Sequence, residues 1–125
     1  MQLNDLTYKI RGAIFNVHST LGLGLFESVY EAALMYELES MGLKARCQLG
    51  LPVHYKETKL ELGFRADIVV EDQVIIEIKS VEALHDVHKK QLLNYLKLTK
   101  MKVGFLVNFN VVSLEDKVSL IRIIN

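Results

Sequence analysis

Apolar residues recur every three or four positions in three segments of the chain, residues 3–20, 27–41 and 85–100. This spacing places them along one side of an α-helix. The sequence LGLG follows the first segment and Gly42 follows the second, and glycine is the usual residue just past a helix end. The pattern therefore predicts three amphipathic helices.

Four other segments, residues 44–55, 60–70, 74–79 and 102–109, have the alternating or continuous apolar character of β-strands. The tail DKVSLIRIIN fits an edge strand or a short helix, and we favour a strand. The order is helix, helix, three strands as a meander, helix and strand. We predict an α/β fold whose central mixed sheet of about four strands is packed by the second and third helices, with strand 74–79 internal.

The composition is that of one ordinary globular domain spanning residues 1–125. Half of the residues are apolar, 24% are charged, and the net charge is zero. A single cysteine, Cys47, excludes an internal disulfide and a multi-cysteine zinc site. No apolar run reaches the length of a membrane span and no signal peptide is evident, so we expect a cytoplasmic protein without a membrane partner. Nucleic acid would have to bind through local charged patches.

Two charged residues, Glu77 and Lys79, lie in the middle of the strand that is predicted to be buried on both sides. Removing a carboxylate from water costs on the order of several kcal/mol unless it is paired, hydrogen-bonded or bound to a metal. A hairpin across the EDQ turn would bring Asp67 close to Glu77. Two carboxylates at close range repel each other unless a proton or a cation lies between them.

Alternation along strand 60–70 predicts which of its residues accompany Asp67, because successive side chains point to opposite faces. Arg65 and Val69 are expected on the face of Asp67. The other face is expected to carry Phe64, Ile68 and Val70.

The helices contribute further polar residues. At about 100° per residue, Glu27 falls on the side of its helix that carries Tyr30, Leu34 and Leu38, so it is expected to face inward. On the third helix, one arc carries His88, Gln91 and Tyr95 with Leu84, Leu92 and Thr99. A different arc, expected to face solvent, carries Lys89, Lys90, Lys97 and Lys100.

Three short motifs follow one another in the second half of the chain: FRAD, EIK ten residues later, and HKKQLLNYL. They resemble the signature of the PD-(D/E)XK nuclease superfamily, with Asp67, Glu77, Lys79 and Gln91 at its positions. The spacing Gln91-x-x-x-Tyr95 is similar to the motif of the RecB-like branch.

A fourth motif narrows the resemblance. The spacing Gly24-x-x-Glu27-x-x-Tyr30 resembles the signature of the GxxExxY proteins, a small bacterial group of that superfamily. The resemblance covers nearly the whole chain. Two departures are Ala66, which stands where the superfamily usually has proline, and the tail after Asn108.

The resemblance implies a restriction-endonuclease-like core that hydrolyses phosphodiester bonds with a metal-activated water. Mg²⁺ or Mn²⁺ is expected as the cofactor, because hard cations take oxygen ligands. The implied ligands are Asp67, Glu77 and the backbone carbonyl of Ile78. Glu27 is expected to bind a second ion or to orient a metal-bound water.

The other motif residues are expected to act beside that metal. Lys79 would hold or activate the water and offset charge on the phosphate, and Gln91 would position the water or a phosphate oxygen. Supporting roles fall to Tyr30, Arg65, His88 and Tyr95.

Each residue also has a structural interpretation. Glu77 and Lys79 would form an ion pair on a half-exposed face, Tyr30 and Tyr95 are more often packing residues, and His88 is more often a hydrogen-bonded structural histidine. Arg65 either pairs with a site carboxylate or contacts a phosphate.

Two functions stay open: a metal-dependent nuclease acting on DNA or RNA, and a catalytically silent binding or assembly module with the same fold. A nuclease this small would need a homodimer or another partner to grip a duplex.

Overall fold

The computed structural model describes residues 1–125, apart from the side chain of Leu62. Its helices are α1 (Leu3–Leu21), α2 (Glu27–Ser40) and α3 (Asp86–Thr99). One sheet, in the order β1-β2-β3-β4-β5, contains β1 (Ala45–Tyr55), β2 (Thr58–Val70), β3 (Val74–Lys79), β4 (Val103–Asn108) and β5 (Leu120–Ile124). The predicted α/β fold is confirmed, and the tail forms β5 at one edge of the sheet.

Glycines end the first two helices, as expected. Gly22 follows α1 with a φ of 70°, and Gly42 lies just beyond α2 with a φ of 78°. Glycine adopts this left-handed conformation without steric cost. After α3 the same conformation is taken by Lys100, with a φ of 62°. Among the described residues, no helix is both long enough and apolar enough to cross a lipid bilayer.

β3 is internal, as predicted. It pairs antiparallel with β2 and parallel with β4. Val74, Ile75, Ile76 and Ile78 are all fully buried. A strand that is covered on both faces has no solvent side, which accounts for its continuous run of valine and isoleucine.

The two faces of the sheet are covered by different helices. The apolar sides of α1 and α2 pack on one face, over Ile68, Ile76 and Phe105 among others. The other face, which includes Val69 and Ile75, is covered by α3. The prediction that the second and third helices pack the sheet is confirmed, and α1 packs beside α2 as a further helix of the first layer. α1 buries seven residues and α2 only three, so α1 contributes most of the first layer.

At Gln48 in β1 and Asp67 in β2, the alternation of side chains between the two faces of the sheet is interrupted. Ile68 packs in the layer of α1 and α2, whereas Phe64 and Ala66 pack against α3. The strand pairing skips Gln48 and Asp67, and Gln48 has a φ of 51°. The prediction that Phe64 shares a face with Ile68 and Val70 is therefore wrong, because strict alternation holds only while the strands stay regular.

Candidate functional site

The candidate site begins where β2 separates from β3. Backbone pairing between these strands covers only residues 68–70 and 74–76. Beyond it, Oδ2 of Asp67 accepts a hydrogen bond from the Ile78 N–H (2.8 Å), and Oε2 of Glu77 accepts one from the Asp67 N–H (3.0 Å). Each carboxylate thus binds the backbone of the opposite strand. We call this arrangement the fork.

The fork changes the acidity of Glu77. Burial, reinforced by the negative charge of Asp67, raises the pKa of Glu77 from 4.5 to about 8. The Asp67 N–H and the positive charge of Lys79 act in the opposite direction. A carboxyl group with this pKa is largely protonated at neutral pH. When no cation neutralises the pair, the bound proton removes the negative charge of Glu77 and so lowers the cost of burying it.

Lys79 ends β3 and is half-buried. It follows Glu77 by two residues in a regular strand, so both side chains point to the same side. Its own carbonyl accepts a hydrogen bond from the Phe109 N–H (3.0 Å). The positive charge of Lys79 opposes the rise in the pKa of Glu77, which indicates that the ammonium group lies near the fork.

Glu27 is the first residue of α2 and reaches the end of β3. Its Oε2 accepts a hydrogen bond from the Ser80 N–H (3.1 Å), while the Ser80 hydroxyl donates to the Leu25 carbonyl (2.6 Å). The side chain of Glu27 is exposed, so the prediction that it faces inward is wrong. The reason is its position in the first turn, because the buried part of the helix begins only at Tyr30.

The loop after β3 is held by Asn108, the buried last residue of β4. Oδ1 of Asn108 accepts a hydrogen bond from the Val81 N–H (3.1 Å), and its Nδ2 donates to the Val81 carbonyl (3.0 Å). Together with the Ser80 N–H that binds Glu27, these bonds fix the backbone that follows the fork.

Glu27, Asp67 and Ile78 line one cavity of about 130 Å³, together with Ser28, Glu31 and Gln48. Nε2 of Gln48 donates to Oε1 of Glu31 (2.7 Å) and to Oδ1 of Asp67 (3.4 Å). The amide thus lies between two carboxylates and lessens their repulsion. Glu31 follows Glu27 by one helical turn, a spacing that puts both on the same side of α2. Neither the apolar spacing nor a motif in the sequence identifies Gln48 as a residue of this site.

Gln91 does not line this cavity. α3 packs on the sheet through Leu92 and Leu96, whereas Gln91 is exposed. It lines a separate, shallow depression with Asp86, Val87, Lys90 and Asn94. Gln91 is about 100° from Leu92 around the helix axis, which leaves it at the margin of the buried side. Glu27 thus lies near Asp67 of the fork and Lys79 near Glu77, whereas Gln91 lines a different depression.

The two predicted supporting tyrosines are packing residues. Tyr30 is fully buried and stacks on Phe109, with ring centres 4.5 Å apart. Its hydroxyl donates to the Gly22 carbonyl (2.6 Å) and accepts from the Leu25 N–H (3.2 Å), which fixes the loop before Glu27. Tyr95 stacks on Phe64 at 3.9 Å and joins α3 to β2.

Arg65 and His88 make local hydrogen bonds to the backbone. Arg65 donates to the Gln48 carbonyl (2.7 Å) and so braces the irregular part of β1. Nδ1 of His88 accepts from the His85 N–H (3.0 Å) at the start of α3. Lys89, expected to face solvent, is half-buried instead.

Comparison with known protein families identifies the superfamily of this chain. Residues 4–122 match the family model of the PD-(D/E)XK nuclease superfamily. The chain belongs to the PD-(D/E)XK nuclease superfamily. Membership indicates a nuclease, a hydrolase of nucleic acid, and nucleases of this superfamily are generally dependent on a divalent metal. Neither the curated proteins nor the solved structures gave a match, and the narrower assignment to the GxxExxY proteins stays a prediction.

The candidate site is suited to a hard cation by its donor atoms. The carboxylates of Glu27, Glu31, Asp67 and Glu77 supply only oxygen, which Mg²⁺ and Mn²⁺ prefer. No three acidic, histidine or cysteine side chains among those described are grouped closely enough to hold an ion. Glu27, Asp67 and Glu77 each accept a hydrogen bond from a backbone N–H. The donor chemistry fits a divalent cation that competes with these hydrogen bonds.

Proposed function

We propose that this chain is a divalent-metal-dependent nuclease that hydrolyses phosphodiester bonds of DNA or RNA. The observation that carries the proposal is the fork, which crowds Asp67 and Glu77 together and raises the pKa of Glu77 to about 8. Two carboxylates held this close attract a cation, and Lys79 stands beside them. Superfamily membership supports the reaction class.

The metal ligands we assign are Asp67, Glu77 and the backbone carbonyl of Ile78. Bound Mg²⁺ or Mn²⁺ would lower the pKa of an attacking water and offset the charge of the phosphate. Glu27 keeps one carboxylate oxygen free while the other accepts the Ser80 N–H. That free oxygen orients the water from the α2 side of the cavity.

Lys79 acts on the same water and on the phosphate. Its ammonium group points to the side of β3 that carries Glu77, where it donates hydrogen bonds to a phosphate oxygen or to the water. Gln91 is assigned to the substrate, not to the water, because it is exposed beside Lys90 and Asn94. These three side chains suit hydrogen bonds to a phosphate backbone.

Cleavage of single- and double-stranded DNA and RNA tests the proposal. Wild type, Lys79→Ala and Lys9→Ala are compared in Mg²⁺, in Mn²⁺ and in EDTA. Lys9 is a matched control, since it is an exposed lysine on α1. We expect metal-dependent cleavage that falls by about 10²- to 10⁴-fold in Lys79→Ala and is unchanged in Lys9→Ala.

Two results would argue against the proposal. Cleavage that persists in EDTA, or that is equal in Lys79→Ala and wild type, would come from a contaminant. Nucleic-acid binding without cleavage in either metal would assign the chain to the second function, a silent binding module.

A further inference from the structure

β5 forms one edge of the sheet, and a trench of about 700 Å³ runs along it. α1 forms one wall with Tyr8 and Arg11, and Lys89 of α3 contributes to the other. The turn before β5 adds Asp116 and Lys117. β4 separates β5 from β3, and Asp67, Glu77 and Ile78 do not line the trench, so the trench is distinct from the fork.

The backbone of β5 presents unpaired groups to the trench. Toward β4, the Asn108 N–H donates to the Ser119 carbonyl and the Asn125 N–H donates to the Lys102 carbonyl. Antiparallel strands alternate between residues that bond to the neighbour and residues that do not. The N–H and C=O groups of Arg122 and Ile124 therefore point away from β4, and no partner for them occurs in the described part of the chain. Such an edge is a template for one more strand.

The side chains give the trench a positive charge. Arg11, Lys89, Lys117 and Arg122 line it, against one acidic residue, Asp116. Asp116 is paired with Arg11, and Lys89 lies 3.7 Å from Oδ1 of Asp86, so Lys117 and Arg122 supply the remaining positive charge of the trench. Apolar surface is available as well, because Tyr8 is 77% and Ile124 is 64% exposed. The trench thus matches a strand that carries both acidic and apolar side chains.

We propose that the β5 edge binds an extended acidic segment of a partner protein by strand addition. The segment pairs its backbone with Arg122 and Ile124, and its acidic side chains meet Lys117 and Arg122. Its apolar side chains cover Tyr8 and Ile124.

Two other occupants fit less well. A second copy paired antiparallel through the centre of β5 would place Arg122 opposite Arg122, and like charges in directly opposed positions destabilise a sheet. A nucleic acid offers phosphate oxygens to the N–H groups, but its phosphates have no donor for the outward carbonyls of Arg122 and Ile124.

The test uses a labelled synthetic peptide of repeated Glu-Glu-Val-Val, which places both glutamate and valine on each face of an extended strand. Its binding to the full chain is followed by fluorescence anisotropy. Two matched peptides accompany it: one with lysine in place of glutamate, and one whose backbone is N-methylated at every residue, so that neither of its edges can pair as a strand. We expect only the unmodified acidic peptide to bind.

Three variants locate the binding. Ile124→Pro removes an outward N–H without touching the β4 ladder, and Arg122→Glu reverses the charge. Lys59→Glu, an exposed residue near the opposite edge, is the control. We expect about tenfold weaker binding in the first two and no change in the third. If Ile124→Pro does not fold, the N-methylated peptide tests the same backbone bonds on the wild type.

Several outcomes would overturn the proposal. The proposal would be wrong if the acidic peptide failed to bind, or if it bound equally after N-methylation or after replacement of glutamate by lysine. Sedimentation velocity detects a dimer that is lost in Ile124→Pro, which assigns the edge to a second copy. A single-stranded oligonucleotide binds in a way that depends on Arg122 and not on Ile124, which assigns the trench to nucleic acid.

Discussion

The two halves of β3 differ in how they meet β2. Val74, Ile75 and Ile76 are fully buried and bond to the backbones of both neighbouring strands. Residues 77–79 keep the β4 ladder, but side-chain carboxylates replace the ladder to β2. Residues 74–76 are anchored in the hydrophobic core, whereas residues 77–79 position the two carboxylates of the fork. A single six-residue strand thus combines a rigid, buried support with an end that carries ionisable side chains.

The largest difference between the halves should be in stability. Ile76→Ala removes a fully buried side chain and should lower the free energy of unfolding by about 2–5 kcal/mol. Lys79→Ala should change it by less than about 1 kcal/mol, because Lys79 is only half-buried. Urea unfolding of both variants measures this, and equal losses would erase the distinction.

The second difference is in pH dependence. The pKa of Glu77 is raised in the folded chain, so the folded state keeps a proton that the unfolded state releases. Without metal, the contribution of Glu77 to stability is present below about pH 4.5 and is lost as the pH rises through about 8. The slope should reach at most about 1.4 kcal/mol per pH unit.

Glu77→Gln provides the matched comparison, because glutamine still accepts the Asp67 N–H and does not titrate in this range. Urea unfolding in EDTA across the pH window should give a flatter profile for Glu77→Gln than for wild type. Parallel profiles would mean that Glu77 does not hold the proton.

The third difference is in the response to metal. If Asp67 and Glu77 share a cation, millimolar Mn²⁺ should stabilise the wild type by about 1–3 kcal/mol at ten- to hundredfold excess over Kd. Glu77→Gln should lose that gain, and Ile76→Ala should keep it. Thermal unfolding with Mn²⁺ and with EDTA measures the shifts. An equal shift in wild type and Glu77→Gln would place the cation elsewhere.

The smallest effect concerns Gln48, which faces the fork from β1. Its φ of 51° is costly for a residue with a Cβ, and its hydrogen bonds are exposed. Gln48→Gly and Gln48→Ala lose the same amide, but only glycine relieves the backbone. We expect the glycine variant to be more stable by about 1 kcal/mol in urea unfolding. Alanine is usually more stabilising than glycine in a strand. An alanine variant more stable than the glycine variant would therefore contradict this prediction.

The elements of the fold were largely predictable from the sequence. The predicted strand 74–79 coincides with β3, and the predicted helix 85–100 differs from α3 by one residue at each end. Continuous apolar runs and helical spacing are local signals, which is why they suffice here. The change of sides at Gln48 and Asp67 has no such signal, because a glutamine in the left-handed conformation is imposed by tertiary contacts.

Within the candidate site, the sequence predicted the positions of only those residues that follow from the order of the motifs along adjacent strands. Asp67, Glu77 and Lys79 lie on adjacent strands or on one strand, so hairpin geometry alone brings them together. Gln91 depends on the rotation of α3, which its packing through Leu92 and Leu96 decides. The contact of Gln48 with Glu31 joins β1 to α2, and no periodicity reports a contact between distant segments.

Asn108 has a consequence for the dynamics of the loop that follows the fork. The amide hydrogens of Ser80 and Val81 lie outside the strand, yet both are bound by side chains, those of Glu27 and Asn108. Amide hydrogens bonded in this way exchange with solvent only when the bond opens. Since Asn108 is buried in β4, the Val81 amide should exchange on the slow timescale of the core strands, and the Ser80 amide faster, because Glu27 is exposed. Exchange rates at these two neighbouring amides would therefore separate motion of the α2 side chain from opening of the sheet itself.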